Sequence, residues 1–565
     1  MQEGLTYNIL MTTYNHQVTV WQASLYRTGS RIQLNSSAYL TFWAQYRTHP
    51  FRWVRTERIT RMATASSFAW LFLGGALQVF GFGKWIVPLA AWLAPVFLLH
   101  FTRGAQPING VLWVWLALLV ALSASNRDVI PIPGAAFLGV VAIIAATMAL
   151  PFMADRLLAP QLPGLLSTLM FPITWIALEF LAARLNPLGS WGALAYTQYG
   201  NLPLMQLASV TGIWGIGFLI AWFASVVNWA WDRQFDWGTI QSGILLYAAV
   251  WSLVMLAGGV RLAFAPQAAT VRIAGIGWPK GIIEPGEFLR VVAPDLTAAE
   301  RKQIREKFGS LHDSFFERSR REVQAGAKVI VWPEANLMVL KDDEAPFLEL
   351  ARHFAREHNI FLLMGMGTLE PGAARPVDNK AVLVNPAGEI AYSYTKITAV
   401  PGFEASVNIR GEGPIPVADT PYGRIASPIC FDLDFPQIIR QVGRLHADIM
   451  LVPASDYKDL QAVGQLHQRM AEFRAVENGA AMFRITRWGG SGAVDPYGRR
   501  LAAMNDFTAD DNVMVAQVPT AAGVRTIYAR VGDLFAWLCV TGMLAGIGWA
   551  VIRSLRSLVS GLNSL

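Results

Sequence analysis

Hydrophobic and polar positions divide the chain into contrasting regions. Between residues 65 and 263, seven apolar segments recur, near 65–83, 85–102, 108–124, 131–153, 165–184, 206–230 and 240–263. Most approach the ~20 residues that a helix needs to cross the hydrocarbon of a bilayer. The second and third are short, which fits tilted or partly re-entrant helices. From about 268 to 525 the rhythm changes to short apolar runs alternating with amphipathic stretches, and an eighth apolar segment covers 530–552. The pattern predicts four units: a polar extension over 1–62, a seven-span domain over 63–265, an α/β domain over 266–525, and a last span with its tail over 526–565.

Inside the α/β region, strands are expected at Val271–Ile276, Lys328–Trp332, Ile360–Met366, Ala381–Asn385, Ile390–Tyr394, Arg424–Cys430, Ile449–Pro453, Ala480–Ile485 and Val513–Val518. Runs such as Val329-Ile330-Val331 are apolar throughout, as in sheets covered on both faces. Thr297 and Glu300 have the spacing of a capping box and open a helix that extends to about Gln324. Further helices are expected near 345–358, 435–443 and 460–478. Pro386-Ala387-Gly388 and Pro496-Tyr497-Gly498 read as tight turns.

Composition supports the membrane reading. Hydrophobic residues make up 53% of the 565 and charged residues 15%, an apolar excess that soluble cores do not absorb. The 21 Trp suit bilayer interfaces. The net charge of +7 does not point to nucleic acid, because the basic residues gather beside the apolar segments and form no stripe with aromatics. With eight spans, Arg52, Arg55, Arg58, Arg61, Arg103, Arg156, Arg233, Arg553 and Arg556 share one side, against Lys84, Arg127 and Arg184 on the other. The positive-inside rule then places both termini in the cytoplasm and the α/β domain outside it. No cleavable signal is evident, so the first segment reads as an uncleaved anchor. Met62 directly precedes that segment and is as good a starting point as Met1.

Two cysteines occur, and Cys539 lies in the eighth apolar segment, which leaves Cys430 free for packing or chemistry. A buried, inert thiol is the simplest reading of Cys430 taken alone. Its setting argues otherwise: it ends a strand-like stretch just before a helix-like one, with Asp434 as a candidate N-cap and Pro436 behind it. A thiol facing a helix N-terminus is expected to have a lowered pKa. Glu334, in Trp332-Pro333-Glu334, and Lys396, in Tyr394-Thr395-Lys396, stand at two further strand ends. Base, ammonium and thiol together make a covalent catalytic set. No His/Cys/Asp cluster has metal-ligand spacing, and no glycine-rich loop suggests a nucleotide.

Trp332-Pro333-Glu334, Tyr394-Thr395-Lys396 and Ile429-Cys430-Phe431-Asp432 resemble the three catalytic segments of the nitrilase, or carbon–nitrogen hydrolase, superfamily. Placed between membrane spans, the domain most resembles the apolipoprotein N-acyltransferase family. Trp175, Glu179, Arg184, Pro187-Leu188-Gly189-Ser190-Trp191-Gly192 and Thr211-Gly212-Ile213-Trp214-Gly215 carry the likeness in the membrane part. Val400-Pro401, Glu404, Met470, Arg474, Glu477 and Ser491-Gly492-Ala493-Val494 carry it in the soluble part.

The resemblance implies a helical membrane bundle bearing an αββα sandwich, set in the bacterial inner membrane with its catalytic domain periplasmic, and no cofactor or metal. It implies an acyl chain passed from a phospholipid to Cys430 as a thioester and then to the α-amine of a diacylglyceryl-cysteine lipoprotein. Glu334 would be the base, while Lys396 and the Phe431 N–H would stabilise the oxyanion. Glu404 would hold or tune Lys396, unless it forms a mere surface salt bridge, and Asp432 would support the site. Trp191 and Tyr196 are placed at the lipid entrance, where interface anchoring explains them equally well. Glu179 and Arg184 are expected to form a structural ion pair, and His467 to be a satisfied core histidine.

The chain departs from the family pattern in three places. Phe431-Asp432 replaces the usual Tyr-Glu, and Ala454-Ser455-Asp456-Tyr457 replaces a Ser-Asn-Asp-x-Trp stretch. Arg484-Ile485-Thr486-Arg487-Trp488-Gly489 replaces Arg-Ala-Thr-Asn-(Asn/Thr)-Gly. Tyr457 and Trp488 thus belong to altered segments that shape the mouth of the site. A membrane-tethered amidase and a catalytically silent lipid-binding scaffold are the alternative readings. A transporter fits poorly with so few polar residues in the spans.

Overall fold

The computed structural model describes residues 5–12, 18–28, 31–33, 65–130, 132–278, 290–509, 511–520 and 523–562. Leu5–Thr12, Val18–Thr28 and Arg31–Gln33 form a small antiparallel sheet; the rest of the polar extension lies outside the described residues. A helix occupies each of the eight apolar segments, but among the described residues six rather than eight are long and apolar enough to cross a membrane. The first two, Ala65–Gln78 and Pro88–Gly104, have 14 and 17 residues, whereas the third, Pro107–Asn126, has a full 20. The chain turns between the first two through Gly83, whose φ of 99° and closeness to the Ser125 carbonyl exclude a side chain.

The sixth segment, expected over 206–230, is broken at Gly212. Two four-residue helices, Leu202–Met205 and Ala208–Thr211, precede the break, and the spanning helix is Ile213–Trp231. Gly212 has φ 65°, and a Cβ there would lie 2.6 Å from the Tyr528 ring. The first N–H groups of a helix lack partners within it; here the Glu477 carboxylate accepts the Ile213 N–H at 2.9 Å. Ile213–Trp231 is the axis of the bundle, with 83% of its apolar window buried, and it packs on Pro88–Gly104, Met170–Leu185 and Trp237–Ala263.

Two sheets stack face to face between helices. One runs in the order Val417–Thr420, Gly423–Ala426, Ile449–Ser455, Ala481–Arg487, Gly490–Val494, Arg500–Asn505. The other runs Val513–Pro519, Thr270–Ile276, Val329–Val331, Phe361–Leu369, Val377–Val384, Ile390–Thr395, with Leu337–Leu340 beside Phe361–Leu369. Alternation along each strand divides the residues between two cores. Val329, Val331 and Leu363 meet Ile449, Leu451 and Ile485 between the sheets. Ile330 and Leu362 instead face Phe308, Leu311 and Phe315 of helix Ala298–Gln324 and Phe347 and Phe354 of helix Glu344–His358. The result is the four-layer αββα sandwich that the resemblance implies.

The Thr297–Glu300 capping box is formed. Within the α/β region four strands were not legible in the sequence: Leu337–Leu340, Val417–Thr420, Gly490–Val494 and Arg500–Asn505. The Gly-Ser-Gly-Ala-Val run lacks strand propensity, and its second glycine lies close under a neighbouring side chain. A Cβ on Gly492 would come within 2.2 Å of the Gln468 side chain.

Candidate active site

The segment expected to be a strand through Cys430 pairs only as Gly423–Ala426, because Pro428 has no N–H to give a ladder. Cys430 instead opens a 3₁₀ turn, Cys430–Asp434, with φ 41°, a left-handed conformation rare for a residue with a side chain. Phe435, not Asp434, is the N-cap of the next helix, Pro436–Arg444, and it offers no side-chain cap. Burial pushes the Cys430 thiol well above its ordinary pKa; Glu334 pushes the same way, and Lys396 opposes both. The expected lowering does not occur, because desolvation and the Glu334 charge outweigh the pull of Lys396. The resting thiol therefore keeps its proton and needs a base.

Glu334, Lys396 and Cys430 converge in one buried cluster, 4%, 3% and 7% exposed. The Lys396 ammonium donates to Glu334 Oε1 at 2.7 Å and to Glu404 Oε1 at 2.6 Å. Burial disfavours this ammonium, yet the two carboxylates prevail and hold its pKa well above the lysine range. Asn379 Nδ2 also donates to Glu334 Oε1, at 2.8 Å, while Oε2 is buried with no hydrogen-bond partner among the described residues. Burial raises the Glu404 pKa, against the pull of Lys396. Asn408 Nδ2 and the Val400 N–H donate to Glu404 at 3.0 and 3.1 Å, so it is bound into the site rather than forming a loose surface pair.

Asp432 joins the Cys430 turn to the Lys396 segment. It accepts from the Ile429 N–H at 3.0 Å, Tyr394 Oη at 2.9 Å, the Thr398 N–H at 3.2 Å and the Thr398 hydroxyl. Burial raises its pKa against those bonds. Phe431 is second in the turn, where backbone N–H groups lack partners within the turn, and its ring meets Phe435 edge-on at 5.4 Å. On the other side, Cys430 Sγ donates to the Ser455 carbonyl at 3.5 Å.

The next residue, Asp456, is bound by Arg484 Nη2 at 2.9 Å, Thr486 Oγ1 at 3.0 Å and His467 Nδ1 at 2.7 Å. His467 Nε2 lies 3.4 Å from Asp434 Oδ2. Burial works against the imidazolium, but Asp434 and Asp456 override it and raise the His467 pKa to about 9. His467 is therefore a satisfied histidine, held charged between two carboxylates. It also stacks edge-on against Trp191 at 4.9 Å. Ser190 donates from both N–H and Oγ to the Asp434 carbonyl, at 2.8 and 2.7 Å. The loop between two membrane helices thus holds the end of the Cys430 turn.

The other sequence-selected residues have varied positions. Tyr196 is 1% exposed, bonded to Ser190 Oγ at 2.6 Å and Arg474 Nη2 at 2.9 Å, which places it in the interior and not at an entrance. Tyr457 is 36% exposed beside the cluster, and burial of its hydroxyl and the Glu404 charge raise its pKa. Trp488 covers one face of the Arg487 guanidinium at 3.5 Å, and Trp278 covers the other at 3.7 Å. Arg487 reaches the Glu334 loop through Asn336. Glu179 and Arg184 do not pair: Glu179 accepts the Leu194 N–H at 2.7 Å and Arg184 binds Asp533. Five positions along a helix turn the second side chain about 140° from the first.

Asn379, Thr398, Asn408 and the Ser455 carbonyl were not anticipated. Asn379 carries the one available signal, a polar residue among apolar ones in Val377–Val384. A cavity of about 630 Å³ opens beside Ile397, Thr398 and Gly411, and none of Glu334, Lys396 and Cys430 lines it.

Comparison with known proteins agrees with this layout. A carbon–nitrogen hydrolase family model matches residues 291–528. A model of the apolipoprotein N-acyltransferase N-terminal domain matches residues 74–226. The apolipoprotein N-acyltransferase of Geobacter metallireducens is 27% identical over 472 residues, 79% of this chain and 85% of that one. Its Pseudomonas aeruginosa counterpart is 28% identical over 427 residues, 70% and 76% of the two chains. An amidase from Nesterenkonia sp. of solved structure is 20% identical and covers 45% of this chain and 93% of its own, with a TM-score of 0.34.

Proposed function

The chain belongs to the apolipoprotein N-acyltransferase family of the nitrilase superfamily, and on that premise we propose that it moves an acyl chain from a phospholipid through Cys430 to the α-amine of a diacylglyceryl-cysteine lipoprotein. The observation that carries the reading is the placement of the cluster. Glu334, Lys396 and Cys430 share one buried site, and the nucleophile turn hangs by the Asp434 carbonyl on Ser190 of a loop between membrane helices. A site seated on an inter-span loop suits two lipid-anchored substrates.

In the first half-reaction, Glu334 Oε2 takes the thiol proton and the sulfur attacks the ester carbonyl of the donor. The Lys396 ammonium and the Phe431 N–H face the tetrahedral oxyanion; such preorganised donors are usually the largest single catalytic contribution. Collapse breaks the ester bond, and lysophospholipid leaves with the proton from Glu334. In the second half, the lipoprotein amine attacks the thioester, Glu334 takes a proton from the nitrogen, and the released sulfur is reprotonated as the amide forms. Splitting the transfer this way lets the two bulky lipids occupy the site in turn.

Arginines concentrated on one side of the helices support a bacterial inner-membrane protein with cytoplasmic termini and a periplasmic catalytic domain. Intact-mass measurement of the purified protein, after phospholipid and then after a diacylglyceryl-cysteine peptide, tests the reading. An acyl adduct on Cys430 that leaves as N-acylated peptide supports it. An adduct lost only to water makes the protein an amidase-type hydrolase, and no adduct makes it a silent scaffold.

A further inference from the structure

Apart from the Glu334–Lys396–Cys430 cluster, a second feature lies beside the root of the last candidate span. A cavity of about 290 Å³ lies between the C-terminal end of helix Pro436–Arg444 and the segment that leads into the last span. Arg444, His446, Arg525, Thr526 and Arg530 line it. Arg444, His446, Arg525 and Arg530 are exposed. Among the described residues, none of these three arginines forms an ion pair with a carboxylate. Neighbouring arginines are partnered: Arg440 donates to the Ala529 and Arg530 carbonyls, Arg184 pairs with Asp533, and Arg474 with Glu477. Asp533, the acid at the root of the span, is also taken by Trp214 and Tyr528.

The geometry points to a binding site for the phosphodiester of an anionic phospholipid at the root of the last span, separate from the site of acyl transfer. Guanidinium forks match phosphate oxygens two at a time. The candidate span begins at Leu534, four residues after Arg530. Exposed apolar side chains flank the cavity: Ile527, Val531, Leu534 and Leu445. A basic centre with an apolar rim at bilayer level fits a headgroup whose acyl chains remain in the lipid. Under the orientation proposed above, these arginines stand on the face that topology keeps poor in cations, and a lipid phosphate gives them a counter-charge. Gly443 fixes the wall, since a Cβ there would lie 2.7 Å from Ala529 and 2.9 Å from Asn478 Oδ1. Cys430 precedes the N-terminal end of the same helix, and its nine residues span about 13 Å, so a lipid held here is not the one that reacts.

Native mass spectrometry of the full chain, equilibrated with phosphatidylglycerol or phosphatidylcholine, tests this. The expected result is retained phosphatidylglycerol in preference to phosphatidylcholine, reduced at least about tenfold in the triple variant R444Q/R525Q/R530Q. Arg525→Glu alone, on an exposed loop, is expected to lower retention as well and serves if the triple variant does not fold. Undiminished retention in a folded variant overturns the site. Retention of inorganic phosphate without phosphatidylglycerol also overturns the lipid assignment. Cys430 acylation is read in the same samples. Acylation without selective retention overturns this site and leaves the activity standing; retention without acylation supports the site alone.

Discussion

The Lys396 ammonium binds Oε1 of Glu334 at 2.7 Å and leaves Oε2 of the same carboxylate without a partner among the described residues. One oxygen is thereby held by Lys396 and Asn379, and the other stays open to a proton. A carboxylate bound at both oxygens would be a poor base, and an unanchored one would not be aimed. Glu404 takes a further bond from Lys396 and fixes the ammonium from its other side.

Replacing the nucleophile gives the first prediction. Cys430→Ala is expected to form no acyl adduct by intact mass and to lose turnover on the order of 10⁴-fold or more, as removal of a covalent nucleophile does. The variant should still fold in the membrane. Wild-type turnover in it would remove Cys430 from the mechanism.

Glu334→Gln keeps the shape of the side chain and removes the base. With the resting thiol protonated by burial, acyl-enzyme formation is expected to slow about 10²- to 10⁴-fold, the usual share of general base catalysis. Single-turnover acylation followed by mass spectrometry measures it. An unchanged rate would place the base elsewhere.

Gly365 tests how the base is positioned. A Cβ there would lie 2.2 Å from the Pro333 carbonyl oxygen and 2.7 Å from the Glu334 Cα, both backbone atoms with little room to move. Gly365→Ala is expected to destabilise the fold by about 1–3 kcal/mol through overpacking and to cut acylation more than stability alone explains. Retained activity and an unchanged melting temperature would show that the strand has slack.

His467 gives a pH dependence. Its pKa, lifted to about 9 by Asp434 and Asp456 against burial, exceeds that of an unfolded histidine, so the folded state binds the proton more tightly. Its stabilisation is complete below the unfolded value, about 6.5, and is lost as pH rises through about 9. The loss is expected to be on the order of 3 kcal/mol. Melting temperatures across that window should fall in the wild type, and His467→Gln should flatten the fall. Parallel curves for the two proteins would refute the assignment.

Much of this architecture was legible from pattern. The capping box at Thr297 and Glu300, the apolar run Val329-Ile330-Val331 and the apolar segments depend on local spacing, which a linear reading records. Three kinds of feature were not. The break at Gly212 depends on Tyr528 and Glu477, hundreds of residues away in sequence. The pairing of Arg184 with Asp533 rather than Glu179 depends on how two helices meet. Asn379 becomes part of the site only when its strand lies beside the Glu334 loop.

By itself, then, the chain's order of residues determined the membrane character, the alternation of strands and helices, and the three residue types that make a covalent catalytic set. Hydropathy, periodicity and capping act over a few positions, and chemistry follows from side-chain identity. Only the tertiary structure decided the state of that set. Burial and the Glu334 charge outweigh the pull of Lys396 and hold the Cys430 thiol well above its ordinary pKa, and Lys396 is charged because two carboxylates exceed its burial. Such balances depend on distance and solvent exclusion, and both arise only when distant segments pack together.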